Sequence, residues 1–564
     1  MGDESTIPMT TVSIAASPES DARSASDHGN DLVLKKVHIA RWRLVTILAW
    51  YSLLGSESNH PCNIVLMQKL YSIGMGLFLS LMDTTIVATM LLSISEEFGG
   101  FRLSSWVVLS YTLAYVACAV LIARLSDAMG RKSVLCISFT IFLAASMACG
   151  ASQNLDQLIG FRAAQGVGGA GLYSMTMIIY PEICPPAMVP LISSILGIIV
   201  ALAGVSGPVI GGLLTTYRDW RYVFWINGPC AFVPGIVLFF VWPSNFQSYT
   251  KVRFRHLDYL GTLFILVGTV LLVFIINQGA VREYAWSSAP TIAVFVLSGL
   301  SWIGLVFWQW EMSRRTKLRH IRPQFPFRIL SNRVMMATII CTILNGFVMF
   351  LVIINIPMRA QIVHIYDAIK SGVLLLPLMG STAVGSMLGG ALSSKKNRTF
   401  WTLNAASSFM LIGTGLLSTL PTSVLPTKSQ YGYQVLLGLG LGLNLSTSTF
   451  MTSLNVEFED HAVAQGIVAQ MRVFGGSIGV AAGFIVLNSL IQQKLTGVLS
   501  PQQLDDFYRT PIVITSFNIL QQLEVRRTYI QAFTVNMQKP TLNQKAPGRS
   551  GGGVCEERCD FRAS

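Results

Sequence analysis

The chain has 564 residues, of which 52% are hydrophobic and only 12% are charged, and its mean hydropathy is +0.56. This composition excludes a soluble protein of that length and indicates a polytopic membrane protein. The formal net charge of +13 does not indicate a nucleic-acid partner, because the basic residues are confined to short loops, where they set the orientation of membrane spans.

The first 69 residues are predicted to form a disordered cytosolic tail. Residues 1–43 are polar and rich in Ser and Asp, and they contain no apolar core of the signal-peptide kind. The apolar run 44–55 is too short to cross a bilayer and is followed by a polar stretch. We interpret 44–69 as a doubtful insert, for which an unspliced intron is one explanation.

Thirteen apolar runs of membrane-spanning length follow this tail. They cover residues 70–95, 104–123, 133–152, 158–180, 189–214, 222–242, 257–278, 290–310, 334–356, 371–392, 400–420, 432–453 and 462–489. Clusters of Lys and Arg follow the second, sixth, eighth and tenth runs, which places the even-numbered loops and the N-terminus in the cytoplasm.

The runs predict an all-α membrane protein, and the family resemblance carried by the motifs described below implies that they form two bundles. The predicted blocks are an N-terminal six-helix bundle at 70–242, a cytosolic link with two extra helices at 243–310, a basic cytosolic loop at 311–333, a C-terminal bundle at 334–535 and a polar tail at 536–564. Thirteen spans are evident where fourteen are expected. The last helix is therefore predicted to be missing, through a frameshifted or truncated final exon.

Asp83 and Arg162 lie inside predicted spans, where a charge costs roughly 2.5–3.5 kcal/mol at the helix centre. Their spans enter the membrane from opposite sides, and both residues fall in the outer half, so we expect them to meet. Burial favours a protonated Asp and a nearby Arg favours an ionised one, so Asp83 is predicted to take up and release a proton. A static buried ion pair is the alternative.

The loop after the second span reads RLSDAMGRK from residue 124, with an acid at the end of one helix and bases at the start of the next. This run resembles the loop signature of the major facilitator superfamily, with Ala123 in place of the usual first Gly. The resemblance implies that Asp127, Gly130, Arg131 and Lys132 form a charge latch to a neighbouring helix end, which favours one face of a carrier. An ordinary charged cytoplasmic loop is the alternative.

Two further runs resemble signatures of the same family. Residues 162–171 resemble the second signature, which implies a role for Arg162 in proton coupling, and Gly166 and Ala170 offer a small-residue face for close helix packing. The set in the fifth span that resembles the antiporter signature is Gly204, Gly207, Pro208, Gly211 and Gly212. Because Pro208 removes a backbone donor and glycines pack closely, a packing face alone is the alternative interpretation.

Three other segments resemble the fourteen-span drug:proton antiporters of that superfamily. These segments are MDTTIVATML around Asp83, residues 219–229 and residues 470–479. The resemblances together cover residues 70 to about 535 and are closest to the fungal toxin-efflux branch. They imply a major facilitator fold, with two pseudo-symmetric six-helix bundles and extra central helices.

A few polar residues in the spans are candidates for the substrate cavity, namely Gln165, Arg472, Asn345 and Asn444. Polar groups in such positions more often form hydrogen bonds between helices. Arg472 is interpreted either as a contact for an anionic substrate or as a contact for helix carbonyl ends. Many Phe, Met and Leu and few fixed charges suit a cavity for amphipathic organic compounds.

These features predict proton-coupled efflux of a drug or secondary-metabolite toxin by alternating access. No enzyme activity, metal or cofactor is expected, because the seven His lie in tails, loops or span edges and a phosphate-binding loop is lacking. The expected partners are a small-molecule substrate, protons and lipid, without nucleic acid, for a monomer in the plasma membrane. The alternatives are another carrier, such as a vacuolar basic amino-acid transporter, an inactive truncated transporter, or a channel.

Overall fold

The computed structural model describes residues 61–98, 101–183, 189–241, 256–281, 286–315, 321, 323, 325–394, 398–420, 427–457, 460–500, 502–504, 507 and 517–543. Its helices are α1 (Pro61–Phe98), α2 (Phe101–Met129), α3 (Arg131–Gly150), α4 (Leu155–Ile183), α5 (Val189–Tyr217), α6 (Arg221–Val241), α7 (Tyr259–Val281), α8 (Ala289–Arg314), α9 (Phe327–Ser331), α10 (Arg333–Val363), α11 (Ala368–Val373), α12 (Leu376–Ser394), α13 (Thr399–Ser418), α14 (Ser429–Asn455), α15 (His461–Leu495) and α16 (Ile519–Asn543). The predicted insert before residue 61 lies outside the described residues.

Each predicted apolar run corresponds to a long helix, with the tenth run divided between α11 and α12. In the described part of the chain, twelve helical segments are long and apolar enough to cross a membrane. The predicted span that this set omits is α4, which is long enough at 29 residues but carries Arg162, Gln165 and many glycines. Neighbouring helices bury most of α4, so its polar groups face protein instead of lipid.

Two of the predicted segments contain helices that the sequence did not indicate. The helix α1 begins at Pro61, so residues 61–69 are helical and do not belong to a disordered tail. In the basic loop predicted at 311–333, residues Phe327–Ser331 form the short helix α9, which packs at the start of α10.

The C-terminal bundle contains a sixth helix, so the prediction of a missing last helix is wrong. The helix α16 has 25 residues and packs against α10, α13 and α15. Val525, Tyr529, Phe533 and Met537 are buried along one face, at intervals of four residues. Polar and charged residues on the rest of the helix lower the average hydropathy of this segment, and averaging over all residues therefore conceals the buried stripe.

The two bundles repeat the same pattern of helix contacts. In the N-terminal bundle α2 packs on α4, α1 on α5 and α3 on α6, and in the C-terminal bundle α12 packs on α14, α10 on α15 and α13 on α16. The bundles meet along two boundaries. On one of them α5 packs against α12 and α14, and on the other α2 and α4 pack against α15.

The extra helices α7 and α8 form a pair that packs beside the second boundary, where α7 contacts α2 and α15. A buried carboxylate joins the two helices at the start of α7. Asp258 accepts hydrogen bonds from Trp308 Nε1 at 2.9 Å and from Gln309 Nε2 at 2.7 Å. It also accepts from the backbone N–H of Gly261 at 2.7 Å, which satisfies a donor in the first turn of α7.

A chain that ends at residue 518 is expected to lose its folded state in detergent. Without α16, the buried faces of α10, α13 and α15 lose their packing partner, and close packing is what holds helices together in a membrane. Size-exclusion chromatography of a fluorescent fusion measures this as loss of the monodisperse peak. A chain that ends at residue 543 retains α16 and is the matched control, and an equal peak from both chains would contradict the role given to α16.

Candidate functional site

A buried ion pair lies inside the N-terminal bundle. Arg162 of α4 donates through Nη1 to Oδ2 of Asp83 on α1, and the exposed fractions of the two side chains are 1% and 0%. The predicted contact between these two residues is confirmed. Because neither group reaches water, each supplies the charge compensation that the other needs in a low-dielectric interior.

Neutral polar side chains enclose the carboxylate of Asp83. Gln165 Nε2 and Asn227 Nδ2 donate to Oδ1 at 3.0 and 3.1 Å. The same two amides donate to Ser146 Oγ, each at 3.2 Å. Gln165, which the sequence suggests as a possible cavity residue, therefore belongs to the ion-pair network. Ser146 and Asn227 were missed, although both are polar residues inside apolar runs.

Arg162 has contacts that do not depend on a charged Asp83. Its Nε donates to the backbone oxygen of Val107 at 3.2 Å, and Nη1 donates to Gln165 Oε1 at 2.7 Å. The guanidinium carbon lies 4.3 Å from the ring centroid of Tyr111 and 5.6 Å from that of Phe224. These contacts position the guanidinium in addition to the ion pair.

A row of buried tyrosines leads from this pair to the boundary between the bundles. The rings of Tyr111 and Tyr115 have centroids 5.9 Å apart, and those of Tyr115 and Tyr173 are also separated by 5.9 Å. Tyr173 accepts a hydrogen bond at 2.6 Å from Nη1 of Arg472, which belongs to α15 in the other bundle. Contacts between side chains are therefore continuous from Arg162 to Arg472.

Arg472 lies at the second boundary, where it contacts both bundles. In addition to Tyr173 on α4, it donates through Nη2 to Ser448 Oγ on α14 at 3.3 Å. Two residues earlier in α15, Gln470 Nε2 donates to the backbone oxygen of Val116 on α2 at 2.8 Å. The predicted cavity residue Arg472 is thus a link between bundles in this conformation.

Several buried polar atoms near this boundary have no hydrogen-bond partner among the described residues. They are Tyr115 Oη, Asn345 Oδ1, Asn444 Oδ1, Gln470 Oε1 and Arg472 Nε. Asn345 uses its Nδ2 on the backbone oxygen of Leu441 at 3.2 Å. Buried polar atoms are normally paired, so unsatisfied ones mark places where water or a ligand supplies the partner. The two predicted cavity residues Asn345 and Asn444 belong to this group.

The loop between α2 and α3 forms the predicted latch with a partner that the sequence did not indicate. Arg131 Nη1 donates to Asp127 Oδ1 at 2.7 Å. On its other side Arg131 binds both oxygens of Glu182 at the end of α4, at 2.8 and 3.2 Å. Gly130 has a φ of +90°, a backbone conformation that favours glycine and that turns the chain between the two helices.

Lys132 does not belong to this latch. Its Nζ lies 5.3 Å from the ring centroid of Phe239 on α6, so the lysine packs on an aromatic ring instead of a carboxylate. The position after Arg131 points to a different side of α3, because consecutive helix residues are separated by about 100°. The family signature includes Lys132 in the motif but does not indicate which side of α3 its side chain lies on.

A second set of charges joins the two bundles at the same end of the molecule. Arg124 of α2 lies 3.9 Å from Asp460, which directly precedes α15, and also donates to the backbone oxygen of Pro323. Asp460 lies 3.7 Å from Arg328, whose Nη1 is 2.6 Å from Glu457. The acidic partners were not recognised in the sequence because they stand in a short turn between two apolar runs.

The glycine-rich set of α5 lies at the first boundary between the bundles. A Cβ atom on Gly207 would lie 2.9 Å from the backbone oxygen of Met82 on α1, and one on Gly204 would lie 2.8 Å from the sulfur of Met379 on α12. The backbone of Pro208 would lie 3.1 Å from a Cβ on Gly372 of α11. The set therefore packs against both bundles, and two of its members, Gly211 and Gly212, are also buried.

A contact at the C-terminal end of α1 holds α1, which carries Asp83, against α6, which carries Asn227. Glu97 binds Arg221 of α6 through both carboxylate oxygens, at 2.8 and 2.9 Å, and accepts from Trp220 Nε1 at 2.6 Å. The hydrogen bond from Arg221 is the main reason that the pKa of Glu97 lies below its ordinary value, and partial burial opposes the shift. The contact clamps α1 to α6.

Glu97→Gln is expected to lower thermal stability near neutral pH by a small amount, roughly 0.2–1 kcal/mol, because the side chain is 41% exposed and the pair is screened by water. The pKa of Glu97 is lowered in the folded protein, so its contribution is complete above the unfolded value and is lost as the pH falls through the folded value. Melting curves of both proteins at neutral and acidic pH measure this.

The two melting temperatures should therefore converge as the pH falls through the lowered pKa of Glu97 in the folded protein. Glu524→Gln is the matched control, because that carboxylate binds Arg527 within a single helix and joins no two helices. A difference between Glu97→Gln and the parent protein that persists unchanged at low pH would contradict the ionic origin of the clamp.

Comparison with known proteins identifies relatives over most of the chain. A family model described as Major Facilitator Superfamily matches residues 73–480. The MFS-type transporter FPY5 of Fusarium mangiferae is 36% identical over 474 residues, which cover 82% of this chain and 79% of that protein. The rubrofusarin-specific efflux pump aurT of Gibberella zeae is 29% identical, over 78% of this chain and 80% of that protein.

Proteins of lower sequence identity to this chain are also named for transport or drug resistance. Multidrug resistance protein 3 of Bacillus subtilis is 28% identical over 76% of this chain and 80% of its own length. Among solved structures, a bacterial homolog of the human lysosomal transporter Spinster, in an inward-facing unoccupied conformation, superposes with a TM-score of 0.55 at 15% identity. That superposition covers 86% of this chain and 97% of the homolog, and it supports the fold alone.

Proposed function

This chain belongs to the Major Facilitator Superfamily, and we propose that it exports small amphipathic organic compounds in exchange for protons by alternating access. Its family and its relatives are membrane transporters, so the chain is a membrane transporter and not an enzyme. The relatives include pumps named for efflux of a fungal pigment and for multidrug resistance. We include in this proposal the proton as the coupling ion, amphipathic organic compounds as the substrates and the plasma membrane as the location.

The observation that carries the proposal is the environment of Asp83. The carboxylate is fully buried, and its partners are one guanidinium and two amides that also bind Ser146. Protonation would remove the charge that compensates Arg162, so proton uptake is linked to a rearrangement of the pair. Arg162 in turn keeps its contacts with Val107 and Tyr111. Asp83 is therefore the proton carrier of the proposal, and Arg162 adjusts its affinity for the proton.

The row of tyrosines supports coupling between this proton and the substrate. Protonation of Asp83 weakens its hold on Arg162, whose guanidinium lies against Tyr111, and the row continues through Tyr115 to Tyr173 and Arg472. A shift of Arg162 thereby reaches the boundary between the bundles. Contact between neighbouring side chains is not by itself evidence of coupling. A change in transport when a tyrosine of the row is replaced would be that evidence.

The substrate class follows from the boundary between the bundles. Its polar atoms without partners, among them Asn345 Oδ1 and Asn444 Oδ1, are few, and the surrounding helices are apolar. A few fixed polar groups in an apolar surround are typical of sites for amphipathic organic molecules. We place the working transporter in the plasma membrane as a monomer, with expulsion from the cell as the direction of transport.

Asp83→Asn is expected to abolish proton-driven transport while leaving the carrier able to exchange substrate. Asn keeps the shape and one acceptor oxygen, replaces the other oxygen with an NH2 donor, and cannot take up and release a proton. Proteoliposomes with rubrofusarin or ethidium as probe measure both activities: transport driven by a pH gradient should fall to the background of empty liposomes, whereas counterflow of the probe without a gradient should persist.

The matched control is Asp219→Asn, which removes an exposed carboxylate of the same bundle and should leave gradient-driven transport unchanged. Gradient-driven transport that survives in Asp83→Asn would assign the coupling to another group. The complete absence of gradient-driven transport of both probes by the parent protein would count against proton-coupled export of this substrate class.

Tyr115→Leu is expected to uncouple the two processes, because it removes the middle ring of the row. Proton flux without substrate should rise, or the ratio of substrate to protons should fall, while Asp83 and Arg162 remain in contact. Tyr115→Phe is the control: it keeps the ring and removes only a hydroxyl that has no partner among the described residues. Equal coupling in both variants would exclude the row as the connection.

A further inference from the structure

Among the described residues, every polar contact of the Asp83 carboxylate comes from a donor. Arg162 Nη1 donates to Oδ2, and Gln165 Nε2 and Asn227 Nδ2 donate to Oδ1 at 3.0 and 3.1 Å. This arrangement suits an ionised carboxylate, which only accepts hydrogen bonds. A neutral carboxylic acid carries an O–H, and in a fully buried site that O–H needs an acceptor. Proton uptake by Asp83 therefore requires a neighbouring oxygen that is not already in use.

Three side-chain oxygens belong to the network around Asp83, and two of them are occupied. Gln165 Oε1 accepts a hydrogen bond from Arg162 Nη1 at 2.7 Å. Ser146 Oγ accepts from both amides, each at 3.2 Å. Asn227 Oδ1 is buried and has no hydrogen-bond partner in the described part of the chain. The unused acceptor of the network is therefore on α6.

Half a turn of the Asn227 amide brings this acceptor to Asp83. The turn exchanges Oδ1 with Nδ2 and needs no empty space, because the two groups have nearly the same size. Oδ1 then lies where Nδ2 now contacts the carboxylate, and it accepts from the acid O–H. It also faces Ser146, whose hydroxyl can donate as well as accept. The turn breaks no hydrogen bond to Oδ1, since Oδ1 has none among the described residues in the present orientation.

The corresponding turn of Gln165 is unfavourable, because it breaks the bond from Arg162 and places an NH2 group against the guanidinium. We propose that Asn227 is the residue that responds to protonation of Asp83: its amide donates to the carboxylate and, after half a turn, accepts from the acid. Asn227 is a positioning residue, because the proton itself resides on Asp83. The inference rests on the proposed function, in which Asp83 carries the proton.

The fold keeps Asn227 beside Asp83 in this scheme. The two residues belong to α6 and α1, which Arg221 and Glu97 clamp together through a contact of 2.8 Å. Neutralisation of Asp83 weakens its bond to Arg162, because that bond depends on charge. The bond to Asn227 is replaced by one of the opposite direction. The polar connection between α1 and α6 is therefore present in both protonation states, whereas the connection between α1 and α4 changes.

Asp83 is the acid at the centre of this network. The other charged or titratable side chains around it are Arg162 on α4, Tyr111 on α2 and Cys149 on α3. The hydroxyl of Tyr111 already donates to a backbone oxygen of α1 at 2.9 Å. The sequence of α5 contains no charged residue, and the charged residue of α6 is the arginine of the clamp. A turn of the amide on acidification is therefore assigned to Asp83.

Infrared difference spectra of the full chain in nanodiscs, recorded between alkaline and acidic pH, test the turn directly. Acidification should produce a carboxylic-acid band that Asp83→Asn removes. With it, an asparagine amide C=O band should move to lower frequency, because accepting a hydrogen bond weakens the C=O bond. Asparagine labelled with a heavy carbon isotope assigns this band, and Asn227→Leu should abolish its shift.

The spectra separate this inference from the function on which it rests. The absence of any acid band that depends on Asp83 would overturn the proton-carrier role and this inference together. An acid band of Asp83 without a shift of the asparagine amide band would overturn the turn of Asn227 alone. Both bands, with the amide shift lost in Asp83→Asn and in Asn227→Leu, would support the inference.

Transport in proteoliposomes provides an independent measurement. Asn227→Leu should lower ethidium transport driven by a pH gradient by at least about tenfold, a factor that one lost hydrogen bond in a buried site can produce. Ethidium counterflow without a gradient should stay near the parent value. A purely structural role would lower both activities together, so equal losses in Asn227→Leu would contradict the inference.

Asn227→Thr supplies a hydroxyl that both donates and accepts, and it also serves if the Leu variant does not fold. It should recover most of the gradient-driven transport, and failure to exceed the Leu variant would count against the inference. Asn355→Leu is the matched control, because it removes a half-buried amide that joins α10 to Asn536 of α16 at 3.3 Å. The ratio of gradient-driven transport to counterflow should be unchanged in this control.

Discussion

The ion pair of Asp83 and Arg162 is the interaction on which the N-terminal bundle depends. Neither charge is stable alone in an apolar interior, so the helices α1 and α4 that carry them must assemble together. The amides of Gln165 and Asn227 extend the requirement to α6, and Ser146 extends it to α3. Four helices therefore have a common polar centre, which sets their relative positions.

The two boundaries between the bundles differ in chemistry. Along α5 the contacts involve small and apolar residues such as Gly204 and Met379, which pack closely and form no hydrogen bond with each other. Along α15 the contacts are polar and include Arg472 with Tyr173 and Arg124 with Asp460. Hydrogen bonds to charged groups contribute about 1.5–3 kcal/mol each, so opening the polar boundary is costly unless substrate, water or a proton replaces them.

The pseudo-symmetry of the bundles extends to packing and not to chemistry. Corresponding helices form corresponding contacts in both halves. The N-terminal half nevertheless encloses a neutralised pair, whereas the C-terminal half encloses Arg359 without a carboxylate among its described neighbours. A shared backbone arrangement leaves the interior side chains free to differ, because helix packing requires matching shapes and says little about charge. The two halves therefore enclose different arrangements of buried charge.

The sequence by itself determined the thirteen apolar helices, the family resemblance and the meeting of Asp83 with Arg162, because span length, loop charge and the cost of a buried charge are local properties. It did not predict α16, whose buried face is hidden in an average taken over all its residues. Only the tertiary structure decided which partners complete each site: Glu182 for the latch, Tyr173 for Arg472, and none among the described residues for Arg359. These pairings join residues far apart in the chain, and the rotation of each helix about its axis, which selects them, is set by packing against the other helices.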